Sequence, residues 1–214
     1  MRILRRAFGV VTILVAVVAT FICFQDAVSG PDMTEFNPQE MGRLESAMWR
    51  SYYEGRWIQL ACQTMAVACG QYGFSWWDGS RLSFHAARGA LFFRKNTDDP
   101  RCLPELDQYY AIISKATGQK FDVRAAAALE LEWWKERRRG IVPQDYARTI
   151  AQVTALVYGV PEEMVLPAAR MRAEAMAYRD ARRDGKMSDA DWQEVSRQLR
   201  LAYASLKETV SHGR

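Results

Sequence analysis

An all-α fold is predicted for this chain of 214 residues by three observations. Helix-starting residues and glycine stops alternate along almost its whole length. Apolar residues recur at spacings of three and four, and no segment of helical length alternates with period two. No internal repeat or low-complexity tract interrupts the pattern.

The first element is Ala7 to Phe24, an uncharged run preceded by Arg2, Arg5 and Arg6. At the helical rise it is about 27 Å long, close to a bilayer core of about 30 Å. It is therefore expected to be a signal-anchor, while Ala27-Val28-Ser29 before Gly30 offers the alternative of a cleaved signal peptide. With the arginines inside, the bulk of the protein is expected outside the cytoplasm, on the periplasmic side of a single-pass membrane protein. The chain divides on this reading into residues 1–30 as signal-anchor or signal peptide, 31–159 as an aromatic-rich helical domain and 160–214 as a basic helical hairpin.

Asn37-Pro38-Gln39-Glu40 supplies an N-cap, a first-turn proline and a capping-box glutamate, opening a helix that could run to Cys69 with Gly70 as its stop. Gly55 is its weak point. Ser80 can cap a helix to about Lys95, and Pro104 can open one that stops at Gly118. Asp122 caps a helix ending in Arg137-Arg138-Arg139-Gly140, where cations complement the helix dipole. Pro143 opens a helix to Gly159, and Pro161 with Glu162 and Glu163 opens one closed by Gly185. Ser188 and Asp191 start the last, whose stripe of Trp192, Val195, Leu199, Tyr203 (or Ala202), Leu206 and Val210 can face Ala168, Met171, Ala175 and Tyr178 in an antiparallel hairpin.

Composition bounds function more than it assigns it. The chain is 49% hydrophobic and 25% charged, which fits a globular protein. The net charge is +4, and the leader carries three arginines against one aspartate, so the remainder lies nearer neutrality than a nucleic-acid binder would. The two histidines are not preceded by glutamate at three residues, which excludes the paired Glu-x-x-His of a di-iron bundle. Cys-x-x-Cys, the phosphate-binding Gly-x-x-x-x-Gly-Lys loop, the Gly-x-Ser-x-Gly elbow and His-Glu-x-x-His are all absent.

At 100° per residue, Leu44, Met48, Ser51, Gly55, Ile58, Cys62, Met65 and Cys69 share the core face of the first long helix. Glu45, Trp49, Tyr52 and Arg56 flank that face, and Glu130, Trp133, Trp134 and Arg137 repeat the arrangement of acid, aromatics and base. His85 shares a face with Leu82, Gly89 and Phe92, and Tyr109-Tyr110 can reach a common centre. Two readings follow. Glu45–Arg56 and Glu130–Arg137 can be ion pairs that fix register beside an aromatic core. Alternatively Glu45, His85 and Glu130 converge, as catalytic acid–base groups or as ligands of one divalent metal, the one cofactor these residues could hold. Trp49, Tyr52, Trp133 and Trp134 are then the candidate ligand-binding residues.

Because the compartment permits disulfides, Cys62–Cys102 and Cys69–Cys102 are both open and Cys69–Cys102 is the preferred bridge, with three buried unbridged thiols as the alternative. Arg170, Arg172, Arg179, Arg182 and Arg183 populate the outer faces of the hairpin, and Arg170, Arg179, Arg182 and Arg183 are candidate contacts to a protein partner. Trp76-Trp77-Asp78-Gly79 reads as a turn that caps the core end or anchors a partner or a membrane interface. An unbroken first helix of about 48 Å would carry it away from the bilayer. The expected function is that of a membrane-anchored, extracytoplasmic helical accessory protein. Its alternatives are a small enzyme centred on Glu45, His85 and Glu130, or a binder of apolar or aromatic ligands.

Overall fold

A computed structural model describes residues 30–182 and 187–212. The expectations for residues 1–29, including the apolar run 7–24, for Arg183 and for a helix stop at Gly185 lie outside the described residues. The described residues form eight helices and no strands: α1 (Pro38–Glu54), α2 (Trp57–Gly70), α3 (Trp76–Lys95), α4 (Cys102–Thr117), α5 (Val123–Arg138), α6 (Pro143–Tyr158), α7 (Glu162–Asp180) and α8 (Asp189–His212). No helix among the described residues is long and apolar enough to cross a membrane.

Each helix packs on the next, and α8 returns to pack on α1, so the eight make a closed circuit. The helices alternate in direction. One end of the ring carries the start of α1, the turn between α2 and α3, and the C-termini of α4, α6 and α8. The opposite end carries the C-termini of α1, α3, α5 and α7. Closure depends on Gly42, where a Cβ would collide with the backbone of Arg200 on α8. Ser46 Oγ then donates to the carbonyl of Trp192 at 3.2 Å. The hairpin α7–α8 packs on α6 through its first arm and on α1 through its second.

Local chemistry sets the helix ends. The Asn37 side chain accepts from the amides of Gln39 and Glu40, and Asp122 accepts from that of Ala125. Gly118 and Gly159 close α4 and α6 in the left-handed conformation. Two boundaries depart from the sequence expectation. Ser75, not Ser80, caps α3, so both Trp76 and Trp77 lie in its first turn. The long first helix is broken at Gly55 (φ +72°), whose amide turns back to the carbonyls of Ser51 and Tyr52. Beyond that break the helical phase is reset. Ile58 and Cys62, expected in the core, are exposed, and Leu60 and Ala68 are the buried residues of α2.

The C-terminal stripe is buried as its spacing implies: Trp192, Val195, Leu199, Ala202, Leu206 and Val210. On α7, Ala168 and Ala175 are buried, but Met171 is exposed; Val165, Ala169, Ala173 and Met176 complete the inner face.

Candidate functional site

The ring encloses two adjoining chambers. One, of about 360 Å³, lies toward the end of the ring formed by the C-termini of α1, α3, α5 and α7. Its walls include Trp49, Tyr52, Tyr53, Phe93, Trp133 and Trp134, and alanines 86, 87 and 90 leave room along α3. The other, of about 300 Å³, is flanked by Tyr72, Tyr109, Tyr110, Tyr158 and Tyr203. Met48, Ala86, Glu130, Trp134 and Arg172 line both chambers and form the waist between them.

Glu130 is held by its own helix. Residues three and four further on lie on the same helical face. Trp133 Nε1 accordingly donates to Oε2 at 2.9 Å, and Trp134 Nε1 to Oε1 at 3.0 Å. Tyr110 of α4 adds a third donor to Oε2 at 3.0 Å. Three neutral donors thus fix the carboxylate in place. Burial first, and then this carboxylate, push the Tyr109 phenol up to about 12 and that of Tyr110 well above its ordinary range.

Glu45 is almost fully buried and meets Arg172 of α7, whose Nε and Nη2 both donate to Oε1, at 2.9 and 2.6 Å. Oε2 is also buried and makes no hydrogen bond to the protein, although the Tyr203 hydroxyl lies close enough that Glu45, after burial, pushes its pKa up. Burial pulls the Arg172 pKa down, but Glu45, aided by Tyr203 and Glu130, reverses this and raises it above its ordinary value. The guanidinium stands 5.5 Å from the centre of the Trp133 ring.

A second charged group closes the outer part of the larger chamber. Arg137 Nε and Nη2 donate to Asp180 at 2.7 and 2.9 Å, and Nη2 also reaches Tyr53 Oη at 3.0 Å. Arg179 lies over the Tyr53 ring, 3.2 Å from its centre, and gives Nη1 to Asp180 at 2.9 Å. Arg179 Nε is buried without an acceptor. Burial pushes the Asp180 carboxyl up, yet the two arginines outweigh it and hold it below its ordinary value.

Glu45 and Glu130 therefore line one chamber, with Trp49, Tyr52, Trp133 and Trp134 around them. His85 does not join them. The lining face of α3 is the stripe of Ala86, Ala90 and Phe93, and His85 lies about 100° round the helix from Ala86. Its Nδ1 is 2.8 Å from Glu105 Oε2 on α4, and Arg88 holds the other carboxylate oxygen at 3.1 Å. Among the described residues no three His, Cys, Asp or Glu side chains are placed to hold a metal, so the expected trio is not assembled.

The ion pairs differ from those expected as well. Arg56 sits at the N-cap of α2, beyond the Gly55 break, and bonds Glu54 rather than Glu45; Arg137 takes Asp180 rather than Glu130. The partners that Glu45 and Arg137 do take, Arg172 and Asp180, both come from α7. Arg172, expected on the outer faces of the hairpin because an arginine is usually solvated, instead continues the buried spacing of Val165, Ala168, Ala169 and Met176.

Cys69 and Cys102 are unbridged, as is Cys62. Cys69 packs against Gly79, whereas Cys102 Sγ faces the Gly89 carbonyl at 3.8 Å. Those glycines are ten residues apart on α3, about 15 Å at the helical rise and too far for a disulfide. Of the arginines expected to meet a partner, Arg170 is exposed, Arg179 is turned into the chamber, and Arg182 pairs with Asp191 at 3.2 Å.

Comparisons with protein-family models, with curated proteins and with solved structures each find no match to this chain.

Proposed function

We propose that this protein is a helical ligand-binding protein, held at a membrane by the apolar run of residues 7–24, whose larger chamber takes a small amphipathic organic molecule. The observation that carries the reading is a pair of buried polar atoms without protein partners, Glu45 Oε2 and Arg179 Nε, in an aromatic-walled chamber. Buried polar groups are normally paired, because leaving one unmade costs about 1–3 kcal/mol. An acceptor and a donor left open in one apolar cavity suit a ligand that carries both kinds of group. The indoles and phenols suit a planar body. Four arginines against three carboxylates in the lining favour an anionic end toward Arg179 and an N–H or O–H toward Glu45.

Binding fits this lining better than docking through the hairpin arginines, because Arg179 and Arg182 are engaged by Asp180, Tyr53 and Asp191. The test uses 8-anilinonaphthalene-1-sulfonate, an aromatic anion with one N–H. Saturable one-to-one binding to the full chain is expected, with energy transfer from tryptophan. Ala90→Phe, which fills the chamber without removing a charge, should weaken that binding at least tenfold while leaving the helical circular dichroism intact. Equal binding by Ala90→Phe and wild type would show that the probe sits elsewhere and would remove the proposal's support.

A further inference from the structure

Trp76 and Trp77 occupy the first turn of α3 with 57% and 65% of their surface exposed. Exposed paired indoles have no part in the chamber and gain nothing from the core of their own hairpin. The break at Gly55 changes where they stand. An unbroken first helix would have carried them far from the start of the fold, but α2 turns back along α1 and returns the α2–α3 turn to the end that holds the start of α1. The Asp32 amide donates to the Tyr72 carbonyl at 3.0 Å, and the Asn37 amide to the Gln71 side chain at 3.0 Å. Pro31 lies against Gly73, where a Cβ would be 3.9 Å from its Cα.

The uncharged run ends at Phe24, and only residues 25–29 separate it from Gly30. Fully extended, six steps of chain span at most about 20 Å. Whatever holds residues 7–24 therefore lies within that distance of Gly30 and the turn beside it. Indoles are favoured at the headgroup level of a bilayer, where an apolar ring meets water through one polar N–H. Neighbouring α2 has no charged side chain from Trp57 to Gly70, and toward this end of the ring it exposes Ala66 and Gly70.

We infer that this end of the ring rests on the bilayer surface, with Trp76 and Trp77 seated among the lipid headgroups. The inference rests on the proposed membrane attachment through residues 7–24. It sets the molecule's orientation: the C-termini of α1, α3, α5 and α7, and with them the larger chamber, point away from the membrane toward the aqueous phase.

The full chain, reconstituted in phosphatidylcholine vesicles with acyl chains brominated near the headgroup, tests this through tryptophan emission. The chain should pellet with the vesicles, and bromine should quench about two of its seven tryptophans. Trp76→Phe/Trp77→Phe should still pellet and lose that quenching. Trp192→Phe, at the opposite end of the ring, should keep it. A chain that pellets without quenching, or quenching that survives Trp76→Phe/Trp77→Phe, overturns the inference while the attachment stands. Failure to pellet overturns both. Concentration-dependent crosslinking of Trp76→Cys or Trp77→Cys, each carrying Cys62→Ser, with no quenching of the wild type, would assign the face to a second copy instead.

Discussion

Replacing Arg172 by methionine should strand Glu45. The substitution removes two bonds to Oε1, at 2.9 and 2.6 Å, and the guanidinium 5.5 Å from the Trp133 ring. Oε2 already lacks a donor, and only 6% of the Glu45 side chain is exposed, so water cannot readily take the place of the arginine. Two unit charges about 4 Å apart interact by about 4 kcal/mol at an effective dielectric of 20. Breaking a buried pair from one side typically costs about 3–5 kcal/mol. Arg172 has 28% of its side chain in solvent, which screens part of that interaction and brings the expected loss to about 3 kcal/mol.

Equilibrium urea unfolding of the full chain measures this loss, with Glu45→Met, Arg172→Met and the double variant beside wild type. The double variant contains no stranded charge and fills the same volume with apolar atoms. It should therefore be more stable than Arg172→Met alone. Arg172→Met within about 1 kcal/mol of wild type would refute the reasoning. So would a double variant that loses the sum of the two single effects.

Gly42→Ala drives a methyl group into the Arg200 backbone and should destabilise by about 2–3 kcal/mol, lowering the melting temperature by roughly 5–10 °C, as calorimetry would register. At alkaline pH the buried phenols oppose unfolding only while they keep their protons. Tyr109 and Tyr146 are pushed up to about 12 from 10, and Tyr72, Tyr110 and Tyr203 lie higher than 10. Their contribution is complete below pH 10, then declines through about 12 as the unfolded chain sheds protons that the fold retains. Tyrosinate absorbance at 295 nm should therefore rise with the loss of helical circular dichroism; ionisation of all nine tyrosines near pH 10 with helicity intact would contradict it. Of the three cysteines in the described residues, Cys62 should react with a thiol reagent in the folded chain and Cys69 and Cys102 only on unfolding, because burial pushes both thiols up. Mass spectrometry of the labelled peptides distinguishes this from a Cys69–Cys102 bridge.

Much of the helical framework was legible because its signals are local. Asn37, Asp122, Gly118 and Gly159 do what their chemistry favours at a helix end, and the spacing of Trp192 to Val210 names the inner face of α8. The pairing of acids with aromatics was legible in the same way, since Glu130 and its two indoles are three and four residues apart on one helix. The break at Gly55 was harder to read, because a glycine inside a helix costs only about 1 kcal/mol and is often tolerated. Once the helix breaks there, every facial assignment beyond it is rotated, which is why Ile58 is 84% exposed. His85 and the cysteines were misplaced for a related reason: a shared face on one helix does not specify which neighbouring helix it meets. The partners of Glu45 and Arg137 come from α7, more than 40 residues away in sequence in both cases, and no local pattern encodes that pairing.

The pairing of α8 with α1 also sets the order in which the protein can be completed during synthesis. Ser46 and Trp192, joined by a hydrogen bond, are 146 residues apart. At about 5–20 residues per second the ribosome needs roughly 7–30 s to make the intervening chain. Through that interval Met41 and Leu44 have only part of their eventual cover, and the chambers cannot yet be sealed. A nascent chain that stalls or is cut short before α8 would be left with an open seam along α1, a natural target for a holding chaperone or a protease. Helix α8 acts as the clasp of the molecule, the last of the described helices to be made and the one that closes the circuit on α1.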